Sequence, residues 1–146
     1  MKQNAIIKAS AQDYLLLIQV WEASVRATHH FIKEDDILSY KELILNEYFD
    51  QVDLYYIQEN NTITGFLGLA GDTIQMLFIH PDRRGKGIGK RFIDFAIAEK
   101  GTDKVDVNEQ NEQAVGFYKH LGFSVSERFA EDAAGKPYPI LAMELQ

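Results

Sequence analysis

Between Leu77 and Lys90 the chain reads Leu-Phe-Ile-His-Pro-Asp-Arg-Arg-Gly-Lys-Gly-Ile-Gly-Lys, an apolar strand-like segment turning through glycines into an amphipathic helix. At such a junction the unpaired N–H groups of the first helical turn, and the positive end of the helix dipole, lie where glycines let a ligand approach closely. Charge gathers there as well. Five of the 15 Lys and Arg residues fall in the nine positions from Arg83 to Arg91, in a chain of net charge −7. A small polyanion such as a pyrophosphate fits this pattern. Nucleic acid does not, because phosphate-backbone binding needs a broad basic surface. The bland alternative is a glycine-rich turn with solvated charges.

Two familiar phosphate loops fail against the sequence. A P-loop needs Gly-Lys followed by Ser or Thr, and Gly89-Lys90 is followed by Arg91. A dinucleotide fingerprint needs G-x-G-x-x-G, and its third glycine position is Lys90 in one register and Phe92 in the other.

The 146 residues are near the usual size of one domain, the apolar fraction of 46% suffices for a core, and no repeat or linker breaks the chain. A single domain, 1–146, is the expectation. Cys is absent, which excludes disulfide frameworks, thiolate metal sites and cysteine nucleophiles. No segment approaches the ~20 apolar residues of a membrane span, and the first residues lack a signal-peptide core, so a cytoplasmic protein with no membrane partner is expected.

Strands are expected at Ala5 to Ala9, Asp53 to Gln58, Thr62 to Leu69, Thr73 to Ile79, Lys104 to Val107, Ser124 to Ala130 and Tyr138 to Leu145. Helices are expected from Ser10 to about Val25, with a capping box at Ser10 and Asp13, and at Glu34 to Phe49, Gly87 to Lys100 and Asn111 to Leu121. Leu15, Ile18, Val20, Trp21 and Val25 make the inward face of the first helix; Ile37, Leu38, Leu43, Ile44 and Leu45 make that of the second. The order β-α-α-β-β-β-α-β-α-β-β implies a mixed α/β sheet with helices on both faces.

At two places the chain resembles the GNAT superfamily of acetyl-CoA-dependent N-acetyltransferases. Arg84-x-x-Gly87-x-Gly89 matches its signature of Arg or Gln, two residues, Gly, one residue, then Gly or Ala. Downstream, Asn111-x-x-Ala114-x-x-Phe117-Tyr118-x-x-x-Gly122-Phe123 matches its second pattern. The run Asn108 to Gln113 and the Gly-Lys-Pro-Tyr-Pro near the end are similar to the YjaB-type bacterial subgroup. The strong match covers Ile74 to Phe123, about a third of the chain.

The resemblance implies a GNAT fold: a mostly antiparallel sheet splayed between the fourth and fifth strands, with helices on both faces. It implies that the acetyl-CoA pyrophosphate rests on the amides of Gly85, Lys86, Gly87, Ile88, Gly89 and Lys90 with Arg84 at its edge. The pantetheine arm would run along Leu77, Phe78 and Ile79, whose alternative role is that of an ordinary buried strand. Asn111 is either a helix N-cap, a contact to that arm, or both. Tyr118 is either a core aromatic or, by the resemblance, the hydroxyl beside the thioester sulfur. A backbone N–H of the splayed strand, such as that of Phe78, would steady the oxyanion.

The general base is expected at Asp106, where many members carry a Glu acting through water, or among His29 and His30. Trp21, Arg26, His29, Phe31 and Tyr138 are the candidate acceptor pocket. No metal is expected, since no third ligand joins the two histidines at a fixed spacing. The function expected is direct acetyl transfer from acetyl-CoA to a primary amine of a small molecule or peptide, by a monomer or homodimer. A non-catalytic acyl-CoA-binding module is the alternative, and a nucleotide-binding protein a more remote one.

Overall fold

The computed structural model describes residues 4–146. Its strands are β1 (Ile7–Lys8), β2 (Asp53–Glu59), β3 (Thr62–Ala70), β4 (Thr73–Ile79), β5 (Lys104–Asn108), β6 (Phe123–Phe129) and β7 (Ile140–Leu145). Its helices are α1 (Tyr14–Thr28), α2 (Glu34–Leu43), α3 (Ile88–Lys100) and α4 (Glu112–His120). All seven strands join one sheet in the order β1-β2-β3-β4-β5-β7-β6. Only β4 and β5 run parallel; the other neighbours are antiparallel.

The local signals account for most element ends. Ser10 N–H donates to the Asp13 carboxylate at 2.9 Å, closing the expected box at the start of a 3₁₀ turn that leads into α1. That turn shifts the phase of the helix beyond it, because it advances about three residues per turn rather than 3.6. Leu17 therefore takes the buried position and Leu15, expected inside, is 66% exposed. In α2, Ile37 faces the core and Leu38 is rotated outward, again against expectation. The second helix is also shorter than its apolar pattern suggests. After Leu43 it widens into a π turn over Ile44–Tyr48 and ends in a 3₁₀ turn at Phe49–Gln51. Such widened turns re-aim side chains, and this one sends Ile44, Tyr48 and Gln51 into a cleft.

Two apolar clusters lie on opposite faces of the sheet. One packs α3 and α4 through Phe92, Ile93, Ala96 and Tyr118 onto Leu67, Leu69, Ile74, Val105 and Met143. The other packs α1 and α2 through Leu17, Trp21, Val25 and Ile37 onto Leu54, Phe66 and Met76. Strand β3 contributes to both, so its residues are buried on both faces.

The sheet opens at its parallel pair. Strands β4 and β5 are paired only at Thr73 with Lys104 and Ile74 with Val105. Opposite β3, Leu69 pairs with Ile74 and Gly68 with Met76, leaving Gln75 as an extra residue on β4. A bulge there turns the strand away just where pairing with β5 stops. Meanwhile β5 stays paired with β7 as far as Asn108. The expected splay between the fourth and fifth strands is present, and Gln75 Nε2 spans its root by donating to Asp106 Oδ2 at 3.1 Å.

Candidate active site

The first part of the site is the junction of β4 and α3. Gly85 and Gly87 have φ of 76° and 79°, left-handed values that a side chain resists, and Gly87 is the N-cap of α3. Arg91 N–H returns to the Gly87 carbonyl at 3.1 Å. The N–H groups before it are those a helix start leaves for an anion. The five basic residues divide among different tasks. Arg83 pairs with Glu59 at 2.9 Å, Lys90 with Asp94 at 2.8 Å, and Arg91 donates to the Asn4 carbonyl. Among the described residues the Arg84 side chain holds only the neutral Gln113 Oε1, at 2.7 Å, and it lines the channel in front of the helix end.

Strand β4 supplies the second part. His80 N–H donates to the Thr64 carbonyl at 2.8 Å, which fixes the alternation of the β3–β4 ladder. Counting back, Phe78 and Met76 direct their backbone groups to β3, and Leu77 and Ile79 direct theirs into the splay. The Phe78 N–H, expected to face a reacting carbonyl, is thus occupied by the ladder. Leu77 takes its place as the backbone donor that faces the opening.

The third part is α4. Asn111 is its N-cap, its Oδ1 accepting from Ala114 N–H at 3.3 Å. Two turns on, Tyr118 is 5% exposed and packs edge-on against Phe117 and Phe123. Among the described residues no hydrogen bond occupies its hydroxyl, and burial raises its pKa, so the phenol stays protonated. Core packing and a free hydroxyl coexist in this residue.

These parts enclose two cavities. A channel of about 300 Å³ is lined by Leu77, Ile79, Arg84, Gly85, Gly87 and Lys90. A cleft of about 690 Å³ is walled by Trp21, Tyr40, Ile44, Tyr48, Met76 and Phe129, with Asp106 and Glu131 among its carboxylates. His29, Leu77, Phe78, Asn111, Ala114 and Tyr118 line both, so the cavities meet at these residues. Asp106 is half-buried, and burial raises its pKa while the Gln75 hydrogen bond opposes the rise. Burial, then Arg84 and His30, push the His29 pKa down to about 4, so its imidazole is neutral.

Residues 50–125 match the family described as acetyltransferase (GNAT) domain. The peptidyl-lysine N-acetyltransferase YjaB of Salmonella typhimurium is 40% identical over 126 residues, covering 86% of each chain. YjaB of Escherichia coli is 39% identical over 126 residues, 86% of this chain and 85% of that one. The solution structure of apo-form YjaB from Escherichia coli superposes with a TM-score of 0.85 at 36% identity, covering 96% of this chain and 95% of the other. The chain belongs to the GNAT family. It is an acetyl-CoA-dependent N-acetyltransferase. At 24% identity, the fold is shared with the PaiA N-acetyltransferase of Thermoplasma acidophilum, solved in complex with coenzyme A (TM-score 0.70, 98% and 99% coverage).

Not every residue picked out from the GNAT sequence lies at these cavities. Arg26 is absent from both walls because Glu22 and Glu34 hold its guanidinium at 2.9 and 2.6 Å. Phe31 stands outside them, stacked between His29 and Tyr138 at centroid distances of 5.3 and 6.2 Å. Tyr138 is tied by its hydroxyl to Asp36 and lines neither cavity. The Lys86 side chain lies outside the channel lining as well. Sequence reading missed Gln75, which has no motif and matters through a bulge, and the wall from Phe129 to Ala134. The Gly-Lys-Pro-Tyr-Pro run was a usable pointer to that segment.

Proposed function

We propose that this chain moves the acetyl group of acetyl-CoA directly to the ε-amine of a lysine side chain in a peptide or protein, with both substrates bound at once. The observation that carries the reading is the meeting of a cation-edged channel and an aromatic-walled cleft at Leu77, Asn111 and Tyr118. The relatives' name, peptidyl-lysine N-acetyltransferase, supports the acceptor class. So does the cleft chemistry: apolar walls suit a four-carbon stem, and a carboxylate suits its ammonium.

The channel fits the donor. Its pyrophosphate would rest on the α3 N-terminus beside Arg84, and its amide-bearing arm would pair with the backbone of Leu77 and Ile79. The amine enters protonated, since an alkylamine has a pKa near ~10.4. Asp106 takes that proton through water, and its raised pKa brings it closer to the task. The lone pair then attacks the acetyl carbonyl, Leu77 N–H meets the developing oxyanion, and the C–S bond breaks as the nitrogen gives up its second proton, which passes through water to the departing thiolate. Tyr118 faces the sulfur. A thiol has a pKa of about 8.5 and this phenol lies above the usual ~10, so Tyr118 stabilises the leaving thiolate chiefly by donating a hydrogen bond. Alignment of amine and thioester supplies much of the remaining acceleration.

The test is a panel of a lysine peptide, the same peptide with a blocked ε-amine and free N-terminus, and a polyamine, with CoA release and mass spectrometry as readouts. Acetylation at the ε-amine is expected, and Tyr118→Phe should lower kcat about 100-fold with acetyl-CoA affinity within about twofold. Donor binding with no transfer to any amine would favour a non-catalytic binding module. Preference for the N-terminus or the polyamine would overturn the lysine assignment alone.

A further inference from the structure

His29 sits where the two cavities meet, yet it adjoins no obvious reacting group. It is 7% exposed, with its ring against Phe31 and Phe78 at centroid distances of 5.3 and 6.3 Å. Its hydrogen bonds define its state. The Thr28 hydroxyl donates its one proton to the Ser24 carbonyl at 2.8 Å, so its 2.7 Å contact with His29 Nδ1 requires the proton to be on that nitrogen. Nε2 is then a lone pair, and it faces Asn111 Nδ2 at 3.4 Å. Asn111 Oδ1 is already committed to Ala114 N–H, which orients the amide so that its NH₂ group points to His29. A continuous chain of hydrogen bonds therefore runs from Ser24 inside α1, through Thr28, His29 and Asn111, to the first turn of α4. It crosses between the two cavities.

The cap bond from Ala114 N–H identifies the oxygen end of the amide but, as a single bond, leaves the side chain free to swing about it. His29 holds the other end, because its lone pair accepts only from the NH₂ side. Nδ2 carries two protons, of which His29 takes one, and the other remains for a carbonyl of the donor's arm. We propose that His29 is a positioning residue for acetyl transfer: its neutral imidazole fixes the Asn111 amide so that one end caps α4 and the other is presented to the acetyl-CoA arm. Through the same chain it ties the end of α1 to the helix that carries Tyr118. The proposal rests on the assignment of Asn111 to the donor site in the function proposed above.

The enzyme tests it with His29→Ala, His29→Gln, Asn111→Ala and the double variant His29→Ala/Asn111→Ala. Acetyl-CoA affinity is read by calorimetry and turnover by CoA release. His29→Ala should weaken acetyl-CoA about tenfold, in line with one lost hydrogen bond to a buried group, with the acceptor KM little changed. His29→Gln should restore affinity to within about threefold, since its amide accepts with one end and donates with the other. The double variant should bind no more weakly than Asn111→Ala, because the two residues act as one unit. Additive losses, or equal losses in His29→Ala and His29→Gln, would overturn the proposal. Full affinity in Asn111→Ala would instead overturn the donor-site reading. Nitrogen chemical shifts of His29 in the unaltered enzyme give a readout independent of the variants' folding. Protonation at Nδ1 near neutral pH is expected, and protonation at Nε2 would reject the relay.

Discussion

Asp106 carries opposed demands in one side chain. Half-buried beside Gln75, it has a raised pKa, so the folded protein favours the protonated carboxyl more than the unfolded chain does. Stability is therefore lost as pH rises through the ordinary carboxylate range and the raised folded value, and the loss is complete above both. Asp106→Asn removes the charge and keeps the shape. The variant should melt at a higher temperature than the parent at pH 7, and the difference should vanish at pH values below both pKa values. Its turnover should fall at least tenfold. Thermal scans across pH with parallel rate measurements check this; a variant less stable at pH 7, or fully active, would remove Asp106 from the role of base. At this scale the sequence was legible where chemistry is local. Asn111 was readable as an N-cap, and the glycines were readable as a helix-entry loop. His29 was readable as a pocket residue, but its contact with Asn111 was not, because that partner is 82 positions away. Nor did clustering alone show that Arg83 and Lys90 are paired with carboxylates and Arg91 with a backbone carbonyl, whereas the channel-lining Arg84 meets only a neutral amide among the described residues.

Side-chain hydrogen bonds and an ion pair join α2 to the connection between β6 and β7. Asp36 accepts from the Tyr138 hydroxyl and pairs with Lys136 at 3.3 Å, and Tyr40 donates to Asp132. The second carboxylate oxygen of Asp132 accepts from the N–H groups of Ala134 and Lys136 at 3.0 and 2.9 Å, which folds the connection back on itself. Tyr40 and Asp132 line the large cleft, so this latch joins two of its walls. Neither is on the channel that the donor would use. Asp36→Ala should raise the KM for the acceptor about fivefold, equivalent to roughly 1 kcal/mol, and leave that for acetyl-CoA unchanged. Equal rises for both substrates would point to general loosening instead. Strand and helix order was readable from periodicity, because each element buries an apolar face. The latch was not: Tyr138 read as a pocket aromatic until its hydroxyl was seen bound to a helix about a hundred residues earlier.

At the scale of the whole molecule, two half-sheets are joined at their centre by two residue pairs between β4 and β5, with the Gln75–Asp106 hydrogen bond beside them. The mixed sheet was implied by element order. The place of β7 between β5 and β6 was not, because long-range strand pairing is set by tertiary packing that periodicity does not encode. This architecture has a thermodynamic consequence. On the proposed reading, a donor in the splay would touch β4 and the α3 N-terminus on one side and α4 on the other, so its binding would bridge what the sheet leaves weakly joined. By linkage, ligand at 100 times its dissociation constant adds about 2.7 kcal/mol to unfolding. In a chain of this length that corresponds to a rise of about 5–10 °C in Tm. Acetyl-CoA and CoA should both produce it, since the pyrophosphate and arm are common to them, and ATP should produce far less because it has no arm to pair with Leu77 and Ile79. Arg84→Ala should reduce the rise at fixed ligand concentration without lowering the ligand-free Tm, because its one side-chain partner among the described residues is the exposed Gln113. Differential scanning fluorimetry over a ligand series checks all of these together. A shift as large with ATP as with CoA would mean that the α3 N-terminus alone binds the ligand and that the open strand edge takes no part.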